Sequence, residues 1–472
     1  MKLLLGLVAA VIIFSLSARN WRHSVKTVVL LLVLEGALRK WVLPQANEMM
    51  YFLKDIVLLG AYFNFYFFAQ PKEKLPTKTS TINILIFISV GWCIFQVFNP
   101  SLGSPMVGLF GLRNYLINLP LIWMVPFLFQ SVEELYKFLR SHLLLLIPVG
   151  LIGIIQFFSP AKSLINAYSN QNSVATATFG TLSAVRITGT FPYINNYASY
   201  LVVCFGLLIP FFFTKNHQAW WWKIILMIEL FLVIINSLMT GSRSVILAQI
   251  LFLIGYLVFR GLQQSASTMR FVLRLLVPTL VISLAVFIGF RPAVDAFWHR
   301  TITNKDVPNR IAGSLTEPID FLQYKQLDGY GTGATHQAAP VLRKALNLPK
   351  GEKIPVYFEP EMGRIVLELG PIGFIFWYGL RVSILIALML NFWTLKIPFL
   401  KQLALAGFFI QAIQISGTLV FHHTFSVYYW FISGFIFLLP RLEQIENWQQ
   451  EQQFLQEQED VEFTYFSDSS YR

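Results

Sequence analysis

The chain has 472 residues, 56% of them hydrophobic and only 13% charged, with a formal net charge of +12. A soluble globular protein carries about a quarter charged residues, so this composition excludes an ordinary soluble enzyme. Segment 291–363 is nearly neutral and tail 441–472 is acidic, so the positive excess lies mainly in short connections between apolar runs, a membrane-protein pattern that argues against nucleic-acid binding.

Apolar stretches of roughly 17–25 residues recur along the chain, the length that crosses a bilayer as a helix. The fold class read from them is all-α: a polytopic transmembrane helical bundle of about 12–13 spans with one long external loop. The spans are expected near 3–18, 25–43, 49–69, 81–98, 113–129, 138–158, 196–213, 220–240, 244–261, 271–290, 364–393, 401–420 and 424–440. The first follows only Lys2 and precedes Arg19, Arg22 and Lys26 without a small-residue cleavage site, so it reads as a retained span. Residues 1–290 thus form a bundle of about ten spans, including a polar loop at 159–195. Residues 291–363 form the large external loop, 364–440 the last spans, and 441–472 an acidic cytoplasmic tail.

Basic residues cluster at Arg19–Lys26, Lys72–Lys78, Lys137–Arg140, Lys215–Lys223, Arg260–Arg274 and Lys396–Lys401. These connections share one side if the spans alternate, and that side is assigned to the cytoplasm. Connections 99–112, 159–195, 241–244 and 291–363 then lie outside. Arg39 and Lys40 violate this pattern. Loop 291–363 is too long to lack structure of its own, so short helices over the membrane surface are expected. The tail reads as a solvated terminus or a short surface helix.

Three external segments carry candidate chemistry. In Thr240-Gly241-Ser242-Arg243-Ser244, Arg243 stands between two apolar runs, where a charge needs a partner or a function. A serine cap would place it at a helix N-terminus, which itself favours anions; the alternative is a turn arginine satisfied by carbonyls. In Arg186-Ile187-Thr188-Gly189-Thr190-Phe191-Pro192, Gly189 and Pro192 break any helix and hold Arg186 on irregular backbone. Its alternative is a snorkelling helix-end arginine. In Glu359-Pro360-Glu361-Met362-Gly363-Arg364, the chain bends back into an apolar run. Arg364 either adds to a phosphate clamp or pairs with Glu361. A carboxylate here serves as a general base if a reacting hydroxyl comes within reach; otherwise the segment is a structural ion-pair network.

Other polar residues point to structure. Cys93 and Cys204 lie in apolar runs and read as small core residues. His422 and His423 have no cysteine or carboxylate cluster beside them and read as interfacial histidines. Glu35 with Arg39, and Lys54 with Asp55, read as helix-locking pairs.

Together the motifs resemble the O-antigen ligase and O-antigen polymerase-like superfamily. Arg186-Ile-Thr-Gly-Thr-Phe-Pro-Tyr-Ile-Asn-Asn-Tyr-Ala is similar to its R-x-T-G-T-F-x-N-P-N-x-x-A element. Thr240-Gly-Ser-Arg-Ser-Val-Ile-Leu-Ala is similar to its T-G-S-R-x-x-x-L-A element. Gly329-Tyr-Gly-Thr-Gly and Leu367-Glu-Leu-Gly-Pro-Ile-Gly resemble the flanks of its large periplasmic loop. The resemblance implies a multi-pass protein of the bacterial inner membrane. It implies an inverting, metal-independent glycosyltransferase without cofactor, acting on an undecaprenyl-diphosphate-linked oligosaccharide at the external face, with a glycan or lipid acceptor. Arg186 and Arg243 would hold the diphosphate, with Arg364 as a candidate third arginine.

The chain departs from the pattern at one point. Where family ligases carry a histidine before the Glu-x-Gly element, counting back from Glu368 meets Glu359. Either Glu359 or Glu361 replaces it as base, or His336 folds in from the loop. The alternative functions are a transporter or flippase for lipid-linked glycans and a non-catalytic assembly subunit. Transporters place their charges near the membrane midplane, whereas these gather at one face.

Overall fold

The computed structural model describes residues 2–69, 81–169, 176–179, 182–212, 220–263, 268–303, 307–325 and 327–469. The expected basic connection 72–78 and parts of those at 215–223 and 260–274 lie outside these residues, as do Asn170, Gln171 and Asn172. Helices dominate the described chain. Its only sheet is a pair of short antiparallel strands, β1 (Thr178–Phe179) and β2 (Leu182–Val185). The protein is therefore an all-α helical bundle.

Among the described residues, seven helices are long and apolar enough to cross a membrane: Thr81–Phe98, Val132–Phe158, Ile194–Phe212, Trp220–Met239, Arg243–Gly261, Glu361–Thr394 and His423–Gln458. The pair Leu276–Gly289 and Arg291–Thr303 passes the same test only together and is bent by 93°. The remaining expected spans are shorter or interrupted. Gly6–Ser17 and Pro398–Ile413 are short apolar helices. Segment 113–129 is split between helices Pro105–Leu116 and Leu121–Leu128, with Pro120 just before the second. Proline lacks the N–H that would carry the first helix onward. Segment 25–43 is the helix Trp21–Ala37 continued by a π-helical turn, Leu38–Val42.

That turn removes the anomaly at Arg39 and Lys40. Both side chains are buried, so neither is a loop charge that reports orientation. Lys40 Nζ donates to Thr188 Oγ1 at 3.0 Å and to the Gly189 carbonyl at 2.7 Å. Arg39 pairs with Glu35 as expected, at 3.0 Å. The second expected pair is exchanged: Lys54 pairs with Glu35, and Asp55 pairs with Arg113. Buried charges need such partners, because an unpaired one costs several kcal/mol.

Phe67, Phe68, Phe87 and Phe95 are mostly exposed, which gives the bundle an apolar outer surface. The helix Ile194–Phe211 is instead buried along most of its length and forms the centre. Cys93 and Cys204 are free thiols packed in the core. The C-terminal segment continues as one helix, Phe435–Ser469, rather than fraying beyond the last apolar run. Segment 291–363 contains the short helices Arg291–Thr303, Val307–Asp320 and Ala339–Ala345.

The helix Glu361–Thr394 is broken at Gly370, whose φ of 69° a side chain would disfavour, followed by Pro371. The break frees the carbonyls of Leu367, Glu368 and Leu369. All three find donors. Tyr330 N–H donates to Leu367 at 2.7 Å, Gly331 N–H to Glu368 at 2.9 Å, and the Trp92 indole to Leu369 at 2.8 Å. The run Gly329-Tyr330-Gly331-Thr332-Gly333 thus docks into the break. A Cβ on Gly111 would lie 2.4 Å from Gly333 Cα, so only glycine permits this approach. Two motifs far apart in sequence become one structural unit, because orphaned carbonyls inside a bundle must be satisfied.

Candidate functional site

Arg186 follows β2 and lies against the turn that precedes the helix Arg243–Gln263. Its Nε donates to the Thr240 carbonyl at 2.9 Å, and its main-chain N–H donates to Ala177 at 2.9 Å. Gly241, with φ of 63°, makes the tight turn that presents Arg243 as the first residue of the helix. The two sequence-predicted arginines are therefore brought together. Arg300, on the helix Arg291–Thr303, is in electrostatic range of Arg186. Burial, then the charges of Arg300 and Arg243, push the Arg186 pKa down to about 10, against the weaker opposing influence of Tyr168. Mutual repulsion of this kind is what a bound anion would relieve.

The backbone bearing Arg186 is held from beneath. Gln156 Oε1 accepts the main-chain N–H groups of Thr188, at 3.1 Å, and Gly189, at 2.8 Å, while its Nε2 donates to Gly189 at 3.1 Å. Lys40 binds the same two residues. Gln156 was legible as a lone amide in an apolar run, a signal of buried polar function. Arg300 carried no such signal.

Arg364 is bound elsewhere, beside the docked loop. Its Nε donates to Thr335 Oγ1 at 3.1 Å, its Nη2 to the Thr335 carbonyl at 2.9 Å, and its guanidinium lies 3.4 Å from the Phe421 ring centroid. Thr335 in turn donates from its main-chain N–H to Glu368 Oε1 at 2.9 Å and from its hydroxyl at 2.6 Å. Tyr115 donates to the other Glu368 oxygen at 2.8 Å.

His336 is the next residue of this loop. Its Nδ1 accepts the Ala338 N–H at 3.0 Å, so the neutral ring carries its proton on Nε2 and is set to donate. Burial, then the charges of Arg364 and Arg113, push its pKa down to about 4. An unfolded chain binds this proton below about 6.5 while the folded one does not until about 4, so stability falls as pH drops through that window. His336→Asn cannot titrate and is expected to flatten the slope, by up to about 3 kcal/mol. Thermal unfolding of parent and variant between the two values checks this. Equal slopes would refute it.

The three candidate bases occupy different settings. Glu359 is exposed and in electrostatic reach of Glu317. Glu361 is fully buried. Its Oε2 accepts the main-chain N–H groups of Leu419, at 2.5 Å, and Val420, at 2.8 Å, and its Oε1 lies 3.5 Å from Arg381. Of the two alternatives for Arg364, pairing with Glu361 is not formed, because Arg381 takes that place. His422 caps a helix through Nδ1, which accepts the Phe425 N–H at 3.0 Å, and His423 bonds the Tyr51 hydroxyl. Among the described residues no group of three or more His, Cys, Asp or Glu gathers as a metal site.

A chain of polar contacts runs from the neighbourhood of Arg186 to Arg113, whose charge acts on His336. Tyr168 is in electrostatic reach of Arg186. Beside it, the Ser169 carbonyl accepts from Asn47 Nδ2 at 2.6 Å, and Asn47 Oδ1 accepts from Arg39 Nε at 2.6 Å. Arg39 and Arg113 both lie over the Tyr51 ring, at 5.5 and 4.9 Å from its centroid. Asn47, Tyr51 and Arg113 are contributors that sequence reasoning missed, since each looks ordinary at a helix end. In comparisons with known proteins, no protein family matches the chain and no curated protein shows significant similarity to it.

Proposed function

We propose that the protein is a ligase- or polymerase-type glycosyltransferase that uses undecaprenyl-diphosphate-linked glycans. In this reading it spans the bacterial inner membrane about 12–13 times, with short helices completing the longer spans. Both arginine sites and segment 291–363 face outward. The observation that carries the reading is Arg186 bound to the turn at the N-terminus of the helix that Arg243 begins, with Arg300 in electrostatic range. Guanidinium forks and the positive end of a helix match a diphosphate and stabilise it as a leaving group. The acceptor hydroxyl attacks the anomeric carbon with inversion, and the bond to the diphosphate breaks. Arg364 and the His336 Nε2–H orient the hydroxyl, and Glu359 is the more accessible carboxylate for its proton.

The test is transfer by the purified full-length protein in nanodiscs, offered undecaprenyl-diphosphate oligosaccharides of several repeat units. Arg300→Ala is expected to weaken binding of undecaprenyl diphosphate by about 10-fold, the worth of one charge-assisted contact. Absence of any transferred or elongated product across the substrates would count decisively against the reading.

A transporter is the second reading, because a discontinuous helix is a transporter feature. The break at Gly370 supports it less than it first suggests. Its freed carbonyls are taken by Tyr330, Gly331 and Trp92 rather than left for an ion or substrate. In cells, variants that trap lipid-linked repeats on the cytoplasmic side would favour transport.

A further inference from the structure

Arg364 lies beside the docked loop, 8% exposed, and no ion pair matches its charge among the described residues. The carboxylates in electrostatic reach are committed elsewhere. Glu368 holds Thr335 and Tyr115, and Glu361 faces Arg381 and the main chain at 419–421. Thr335 engages Nε and Nη2 of the guanidinium, and the Phe421 ring lies against its face. Nη1 has no acceptor among the described residues and stays in contact with solvent. A cation taken this far out of water is normally paired. Here its plane is fixed and one edge of its fork is left open, the geometry that matches a planar oxyanion.

His336 supplies a second donor. Its Nδ1 accepts the Ala338 N–H, which leaves the Nε2–H without an acceptor among the described residues and in contact with solvent. The ring stands edge-on to Phe110, with centroids 4.9 Å apart, and 6.4 Å from Phe421, the ring that Arg364 covers. His336 is also in electrostatic range of Arg364. Both donors therefore border one half-buried aromatic wall.

The charge at this place selects the ligand. Arg364 brings one positive charge, the neutral His336 brings none, and Arg113 is already paired with Asp55. A carboxylate, with a single negative charge, balances this. A phosphate monoester carries close to two and would keep the excess. The C–H face of a pyranose ring buries against Phe110 and Phe421 while its carboxylate meets the guanidinium.

We propose that Arg364 and His336 bind the carboxylate of an acidic sugar, a hexuronate, in the acceptor glycan. The proposal rests on the glycan-transfer reading and gives the acceptor a chemical class.

The experiment is a saturation-transfer NMR titration of the full-length protein in nanodiscs of zwitterionic lipid. The probes are methyl hexuronates, the corresponding hexuronamides, which keep the ring and lose the charge, and hexose monophosphates. At least one hexuronate is expected to bind about 10-fold more tightly than its amide, the worth of one charge-assisted contact. Arg364→Met should abolish that preference. His336→Phe keeps a ring against Phe110 and removes the Nε2 donor, so it should at least halve the preference, and it carries the test if Arg364→Met fails to fold. No hexuronate bound, hexuronates no tighter than their amides, binding confined to the monophosphates, or a preference undiminished in these variants would each overturn the proposal. The probes carry neither lipid nor diphosphate. A protein that transfers glycan without the preference loses the acceptor class alone, and one that shows the preference without transferring glycan loses the catalytic reading.

Discussion

Replacing Arg186 by alanine is expected to lower glycan transfer by about 100-fold or more, the usual cost of removing one preorganised donor to a developing charge. Its Nε is committed to the Thr240 carbonyl, which fixes the plane of the guanidinium. Gln156 and Lys40 hold the backbone on either side of the Thr188–Gly189 turn. The group is therefore aimed before substrate arrives, and little reorganisation is left for the reaction. Arg186→Lys keeps the charge but loses the fork, so it should recover only a small part of the activity. Arg186→Ala should change thermal stability little, because it relieves repulsion from Arg300 and Arg243 and forfeits one hydrogen bond to the Thr240 carbonyl. Falling transfer with undiminished stability is the signature of a binding residue. A structural arginine would lose both together. Full transfer by Arg186→Ala would end its assignment to the diphosphate.

Glu368→Ala should have the largest effect on the fold, about 3–5 kcal/mol, because it strands several buried donors at once. Glu368 is inaccessible to solvent and receives two hydrogen bonds from Thr335 and one from Tyr115. Its main-chain carbonyl receives Gly331. The side chain therefore ties the docked loop to the break in the helix Glu361–Thr394. Without it, the run 329–336 should release, and with it the settings of His336 and Arg364. Limited proteolysis reads this directly as new cleavage between the helices Val307–Asp320 and Glu361–Thr394. Glu368→Gln keeps the shape and one strong acceptor, so its cleavage should be much slower than that of the alanine variant. A Glu368→Ala protein as resistant as the parent would show that the loop is held by its backbone contacts alone.

Several elements are legible in the residues alone. The length of the apolar runs predicts helices, and the all-α bundle follows from them. The run 364–393 is expected as one span, whereas the helix breaks at Gly370–Pro371, two helix-averse residues inside it. Arg186 and Arg243 stand out because each is a charge on irregular backbone beside a span. Pairing is less legible. Lys54 and Asp55 are neighbours in sequence, yet each pairs with a residue on another element. Arg364 looks like a partner for Glu361, whereas Glu361 turns to Arg381 and the 419–421 backbone. Adjacent side chains on a helix point in different directions, so sequence proximity predicts little about ion pairs there.

The sequence by itself determined where helices form, because burying a hydrogen-bonded backbone in an apolar medium leaves few alternatives and run length records it. It also marked which charges needed an explanation. Only the tertiary structure decided which of those charges meet. Arg300 comes within electrostatic range of Arg186 because the chain bends by 93° before its helix, an angle no local pattern encodes. The run 329–333 meets the broken helix because three carbonyls there require donors and two glycines permit the approach. Helix formation depends on near neighbours in the chain, whereas these contacts depend on the docking of elements tens of residues apart.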